Sequence, residues 1–472
     1  ATFDGSTYST TQVQASLTEA LTPAPSGFLV GMGGTLRLDV GVARVGSLSV
    51  SRWVSIEGIG SMNSCVLQAG YADVSVPGED AVLNMLDDGS QQSSLVGQQR
   101  LVNFGINGKN SQNPVGHIRH GIWYKQPAPG NTDRCPNVID VHVVGTSGSG
   151  WKISYNDQVR GNNFKAIACQ MYGLDWDKVS DGKYDQLGLG GNVLGAFKLS
   201  NCASLKLSKI DAWTSAVFTG DYLGQLISCK GTVISDGELE GMVLVRGDNN
   251  NPSNGAYRWD TNTAFDNITF KTSEDFKAAK GALYDCHLHI QDAFGVKLKG
   301  CGFGAGKKSG VANEIDPVLL AARPKWAIKF STQVSGGNPD YAEYLAHAGD
   351  CDVGTVEWLA YYGQVGGTLA MKPVVAFTEH ASNMPWLLRN VQPGSIVQRR
   401  TGKPERGEIL ANGASVYISD YPLLYLFSEP GGTWTRKLTD WDGTPGGDFT
   451  FAVPDWSEEP IAAGFSWYVK TH

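Results

Sequence analysis

Charge is scarce in this chain. Asp, Glu, Lys and Arg make up 18% of its 472 residues, against about 25% in an ordinary globular protein. The charge present sums to −8, with no cluster of Lys or Arg. A polyphosphate partner needs such a cluster, so the balance argues against a nucleic-acid role. Long apolar runs are missing as well. The longest near the C-terminus, Pro422 to Phe427, falls far short of the roughly 20 residues of a spanning helix, so no membrane insertion is expected. The N-terminus has neither the basic nor the apolar segment of a secretion signal, and no initiator Met. Cysteine occurs at Cys65, Cys135, Cys169, Cys202, Cys229, Cys286, Cys301 and Cys351, never as a CxxC pair. That spacing argues against the common zinc and redox motifs and predicts free, mostly buried thiols. Sustained helical periodicity is nearly lacking too.

Glycine, by contrast, is abundant, with 59 residues, alongside 13 Trp and 17 Tyr. The glycines have no G-X-Y period, which excludes collagen, and 41% hydrophobic residues argue against disorder. One short helix is predicted at 10–22, where Thr10 or Thr11 can cap it, Val13, Leu17 and Leu21 recur at helical spacing, and Pro23 and Pro25 end it. Thereafter short alternating runs are cut by turn residues: Thr35–Val40, Gly46–Val50, Trp53–Glu57, Cys65–Gln68. From Asn137 a loose repeat appears, through Val138–Val144, Asn163–Ala168, Gln186–Gly190, Ser204–Ile210, Thr232–Ile234, Phe265–Phe270 and Leu283–Ile290. Its period falls within the range of about 20–50 residues that marks solenoids. Strand units with no helix between them favour an all-β parallel β-helix over a leucine-rich horseshoe. The leading helix (1–24) sits where a cap on the open end belongs. The repeat (25–336) fades between Gly336 and Thr355, after which Pro and Trp rise. Residues 337–472 therefore read as a separate β-rich, sandwich-like domain serving trimerisation, carbohydrate binding or both.

The most chemically pointed segment is Ile234-Ser235-Asp236-Gly237-Glu238-Leu239-Glu240. Ile234 and Leu239 cannot share a face of an unbroken strand, so a turn or bulge is expected near Gly237. Past it Leu239 points inward, while Glu238 and Glu240 point outward together, joined by Asp236 if the register holds. Carboxyls about 6.6 Å apart along a strand match the separations used by glycosidases. Asp211, in Ile210-Asp211-Ala212-Trp213, precedes Asp236 by about one coil. Carboxylates on neighbouring coils raise one another's pKa and supply an acid near neutral pH. Asp211, Asp236, Glu238 and Glu240 are thus the catalytic candidates, with Trp213 as a sugar platform. Asp175 and Asp177, flanking Trp176, form a second acidic pair for substrate binding. Arg246 and Tyr257 lie near the same coils and are further substrate-binding candidates, and with Lys230 they could serve as the base of a lyase. Neither His117/His120 nor His287/His289 has an obvious third ligand, so both pairs read as structural and no metal is expected. Gly300–Ser309 lacks the spacing of a phosphate loop. Asp248–Gly255 reads as an insertion loop. No cofactor is expected.

The segments Ser26-Gly27-Phe28, Gly33-Gly34-Thr35-Leu36-Arg37-Leu38, Leu48-Ser49-Val50, Val54–Gly60 and Cys65–Gln68 resemble the opening coils of pectate-lyase-like right-handed β-helix proteins, especially bacteriophage tailspike depolymerases. Val179–Asp185 with Leu187–Asn192, and Leu199–Ser204 leading to Lys209–Trp213, are similar to the middle coils of those tailspikes. The resemblance spans roughly residues 10–330. It implies a homotrimer on a virion tail, attached through a missing N-terminal region, that binds and cleaves a bacterial capsule, O-antigen or exopolysaccharide. Among site residues it carries over only the theme of acidic pairs on the solenoid face. The calcium-binding Asp cluster of true pectate lyases is not evident here. Three activities fit this reading: endo-glycosidic hydrolysis, β-elimination on a uronic-acid polymer, and adhesion to a glycan without cleavage.

Overall fold

The computed structural model describes residues 34–51, 54–71, 74–86, 99–125, 137–247, 260–291, 293–304, 317–324 and 326–331, together with short strands between Asp352 and Lys470. Every strand of the repeat region pairs in parallel with the equivalent strand of the coil before and the coil after. Two long sheets result. Sheet 1 holds 13 strands and sheet 2 holds 11, each following chain order along its main path. A third side carries two-stranded ladders, Asn156–Asp157 on Val179–Ser180 and Asp260–Thr261 on Ala293–Phe294. The chain is an all-β parallel β-helix.

Coil length is regular where the loops are short. Residues in register on sheet 1 run His142, Lys165, Gly188 and Asp211, at a constant interval. The next partners are Glu238 and then Thr269, each after a longer coil than the one before.

A bend recurs in the middle of the successive sheet 1 strands from Asn137–Val144 to Lys297–Gly304. Asp140, Asn163, Gln186, Lys209, Asp236, Asn267 and Gly300 all have φ between 51° and 62°. This left-handed conformation is reached most readily by Asn, Asp and Gly. Reversing the chain there lets residues on both sides of the bend face inward, so Ile234 and Leu239 are both fully buried. The break expected near Gly237 therefore falls one position earlier, at Asp236. Amide–carboxylate bonds run up this stack: Asn163 Nδ2 donates to Asp140 Oδ1 at 2.6 Å, and Asn267 Nδ2 to Asp236 Oδ1 at 2.9 Å. Two further left-handed stacks mark other corners, Lys178–Asn201–Ser228 and Gln158–Asp181–Ser204.

The interior is a continuous apolar column. Trp151 packs edge-on to Trp176 at 5.0 Å and to Tyr184 at 5.7 Å, and lies 5.2 Å from Phe164. Each such buried side chain stabilises the fold by a few kcal/mol, on the scale of about 1.5–3 kcal/mol for Phe or Leu. Cys65, Cys169, Cys202, Cys229, Cys286 and Cys301 are free and buried, as their spacing predicts. His117 and Arg119 both bond Asp80, at 3.0 and 2.6 Å, and so cross-link two coils. His120 is bound to Glu79 at 2.8 Å.

The expected cap helix at 10–22 lies outside the described residues. The parallel pairing extends beyond residue 336: Asp352–Glu357 pairs with Lys297–Gly304, and Val375–Phe377 with Trp326–Ser331. Further on the pairing turns antiparallel, with Ile396–Arg400 and Glu408–Leu410 on Phe465–Lys470, and Ser415–Tyr417 on Thr450–Ala452. A short helix that the residue pattern does not announce, Glu274–Lys280, is capped by the Ser273 side chain, which accepts from Phe276 N at 3.2 Å. Among the described residues no helix is long and apolar enough to cross a membrane.

Candidate active site

Alternation places two rows of side chains outward on sheet 1 beyond the bend. One row reads Lys165, Gly188, Asp211, Glu238, Thr269; the next reads Ile167, Gly190, Trp213, Glu240, Lys271. Ile210, Ala212 and Leu239 point the other way and are fully buried. Asp211 is thus directly opposite Glu238, and Trp213 opposite Glu240, across one strand spacing of about 4.8 Å. Three of the four catalytic candidates share an open face.

The fourth, Asp236, does not join them. It occupies the left-handed bend, outside the paired register, and its Oδ1 accepts the Asn267 amide. The expectation that Asp236 follows Asp211 by one coil takes that coil two positions too short, and the register brings Glu238 opposite instead. Asp236 sits at the corner, off the row that Asp211 and Glu238 share.

Cations that the residue pattern does not single out complete the face. Lys271 Nζ contacts Glu238 Oε2 and lies 4.0 Å from Glu240 Oε1. On the opposite flank the aliphatic stem of Lys165 runs beside Gly188, and its charge favours ionised Asp211. Even so, the Asp211 carboxyl is held above the usual range, first by desolvation and then by the charge of Glu238. Glu240 is also raised, by burial foremost and by Asp211 and Glu238 among the charges, with Lys271 opposing. Two carboxyls that resist ionisation and one tied to a lysine therefore sit on adjacent strands.

Glycine shapes the ground beside them. A Cβ on Gly190 would lie 1.8 Å from the Trp213 ring, so the indole lies across the preceding coil at that glycine. Trp213 is half-buried, and Glu240 is its register partner on the following strand.

Asp175, Asp177 and Arg246 lie on sheet 2, a different face of the solenoid. Asp177 Oδ1 accepts from Asn201 Nδ2 at 2.9 Å across neighbouring left-handed corners, a structural duty. Asp175 instead sits between Lys152 and Lys198, its register partners, and desolvation raises its pKa. Lys230 occupies a corner bridge with Ala203. Tyr257 lies outside the described residues. None of the described lyase-base candidates reaches the Asp211 face. The histidines have partners of their own: besides His117 and His120 on Asp80 and Glu79, His289 Nδ1 bonds Tyr222 Oη at 2.9 Å, and among the described residues no group of metal ligands assembles.

Lys271 is not legible in the sequence because the coil from Glu240 to Lys271 is longer than those before it; the expected insertion loop Asp248–Gly255 lies outside the described residues. Lys165 was within reach: it lies two regular coils before Asp211.

No family model matches the sequence, and no curated protein matches it either. Solved structures to which the chain is similar include the A-module of a mannuronan C-5 epimerase from Azotobacter vinelandii, at 13% identity and TM-score 0.39 over 71% of this chain and 98% of that one. They also include the enzymatically active domain of tailspike protein 2 of bacteriophage CBA120, at 12% identity and TM-score 0.42 over 83% and 53%, and ORF18 of Geobacillus virus E2, at 11% identity and TM-score 0.35 over 98% and 77%.

Proposed function

We propose that the protein is a polysaccharide depolymerase of the phage tailspike kind, cutting a bacterial surface glycan by endo-glycosidic hydrolysis on the outer face of sheet 1. The observation that carries this reading is the registered trio Asp211, Glu238 and Glu240, with Lys271 placed on one side of it and the Trp213 ring beside it. Hydrolysis of a glycosidic bond needs a carboxyl that stays protonated and a carboxylate that stays charged. Glu240 and Asp211 are pushed toward the protonated form and serve as acid candidates. Glu238, its charge balanced by Lys271, is the base or nucleophile. The indole of Trp213 offers an apolar surface to a sugar ring. Action on the virion tail as a homotrimer, with residues 337–472 as clasp or sugar-binding module, belongs to the same proposal.

The test is a panel of bacterial capsular, O-antigen and exopolysaccharides digested by wild type and by Asp211→Asn, Glu238→Gln and Glu240→Gln. New reducing ends are expected from wild type on one member. A loss of about 10²–10⁴-fold, the usual contribution of a general acid or base, is expected in at least Glu238→Gln and one acid variant. Ultraviolet absorbance from an unsaturated uronic product would replace hydrolysis with β-elimination. Full activity in all three variants would move the chemistry to Asp175 on sheet 2, whose desolvation makes it the next candidate. Binding without any shortening of the polymer would leave only the adhesin.

A further inference from the structure

Sheet 2 presents a second ordered row. Trp123, Lys152, Asp175, Lys198 and Gln225 are register partners on five consecutive strands, all on the outward side. Their inward neighbours Trp151, Leu174 and Phe197 fill the core. The row therefore runs along the solenoid axis, one polar or aromatic group per strand spacing, in the geometry of a track for an extended polymer.

Its charges are arranged around rings. The Lys125 and Lys152 ammoniums lie 4.3 and 4.6 Å from the centre of the Trp123 ring, whose Nε1 donates to Ser154 Oγ at 3.1 Å. Lys152 is also bound to Glu79 at 2.5 Å. Lys198 is placed differently. Among the described residues it closes no ion pair, and its ammonium lies 5.9 Å from the Tyr172 ring. Tyr172 in turn accepts from Gln225 Nε2 at 3.3 Å. Lys198 is half-buried; its charge acts on Asp175 beside it without an ion pair closing between them, which leaves the ammonium available to an acidic ligand on a protein of net charge −8. Asp175, between the two lysines, supplies carboxyl oxygens for hydroxyl groups. Cations for carboxylates, a carboxyl for hydroxyls and rings for apolar sugar faces are together the recognition chemistry of an acidic glycan, and neutral sugars would leave Lys198 unanswered.

We infer that the outward row Trp123–Lys152–Asp175–Lys198–Gln225 of sheet 2 is a binding track for a uronic-acid-bearing polysaccharide, separate from the carboxylate face of sheet 1. It goes beyond the hydrolase reading, since binding here needs no cleavage there.

The experiment titrates polygalacturonate oligomers and neutral maltooligosaccharides of equal length into the whole chain by calorimetry, at low and moderate salt. Wild type is expected to bind the polyuronate, more weakly as salt rises, and to bind the neutral oligomer at least tenfold less tightly. Lys198→Gln should weaken polyuronate binding about tenfold or more, the range for one charge-assisted contact. Lys198→Arg should restore most of it, and Trp123→Ala should also weaken it. Lys209→Gln, on the sheet 1 bend and outside both rows, should bind as wild type does. Lys198 closes no ion pair among the described residues, so its variants should melt like wild type. Equal affinity for charged and neutral oligomers, or unchanged binding in Lys198→Gln, overturns the track. So does a loss confined to the double variant Asp211→Asn/Glu238→Gln of sheet 1. Light scattering separates the remaining occupant: if Lys198→Gln shifts the oligomer mass and the polyuronate does not bind, a second copy covers this face and the proposal falls. Absence of depolymerisation bears only on the sheet 1 reading and leaves this outcome untouched.

Discussion

At the scale of single residues, two glycines of one strand do opposite things. Gly188 and Gly190 both face outward on sheet 1, and neither has the positive φ that would itself require glycine. What separates them is the neighbour. A Cβ on Gly188 would meet Lys165 Cγ at 3.3 Å, a flexible stem that can yield, whereas a Cβ on Gly190 would lie inside the Trp213 ring. Gly190→Ala should therefore expel the indole from its seat, shift the tryptophan emission and raise KM for the polymer more than it lowers kcat. Its stability cost should be about 1–3 kcal/mol, the range for overpacking. Gly188→Ala should stay within about 0.5 kcal/mol of wild type, as surface changes do. Fluorescence and denaturant melts of the two variants, with initial rates on the cleaved glycan, decide it. Equal behaviour of the pair would mean that Trp213 does not depend on the bare backbone beneath it.

Elements are set here by a bend as much as by alternation. The left-handed residue of the sheet 1 strands from Asn137–Val144 onward lets one segment bury both Ile234 and Leu239, and it takes Asp236 out of the outward row of Asp211 and Glu238. Asp236→Asn keeps a side-chain oxygen for Asn267 and tolerates φ of 54°. It should keep stability within about 0.5 kcal/mol and retain full depolymerising activity. Asp236→Val places a β-branched residue in the left-handed region and should cost about 1–2 kcal/mol, again with the activity of its folded fraction intact. A large loss of turnover in Asp236→Asn would return that carboxylate to the site. The same bend explains what could be read in advance. The clash of Ile234 and Leu239 with a plain strand is visible in the residues, and so are the outward sides of Asp211, Glu238 and Trp213. The coil interval is not, because it depends on loop lengths that grow from one coil to the next between Gly188 and Thr269. An error of two positions is enough to exchange Glu238 for Asp236. The longer interval from Glu240 to its register partner Lys271 conceals that lysine for the same reason. The row on sheet 2 is only partly legible in the residues, since Asp175 stands out as an acid beside Trp176, whereas Lys152 and Lys198 become its neighbours only once the coils are stacked.

Across the whole molecule, the solenoid has sealed neutral imidazoles inside it. Burial lowers His287 to about 3 and His289 to about 4, against 6.5 for an unfolded histidine. The unfolded chain therefore takes up protons below 6.5 that the folded chain refuses, and stability must fall as pH falls. The contribution of His289 is complete above about 6.5, is lost progressively toward about 4, and levels off below that. At about 1.36 kcal/mol per unit it amounts to about 3 kcal/mol. Asp175, Asp211 and Glu240, all raised, act in the opposite sense, gaining stability for the fold as they are protonated. The wild-type profile alone therefore mixes signs, and one substitution isolates the histidine term. His289→Gln keeps a polar partner for Tyr222 Oη but cannot titrate. Urea midpoints measured from pH 7 to 4 should fall less steeply in His289→Gln than in wild type, by a slope equivalent to up to one proton between pH 6.5 and 4. Parallel profiles would show that His289 takes up its proton in the folded state as readily as in the unfolded one. Its burial against Tyr222 would then be too loose to exclude charge.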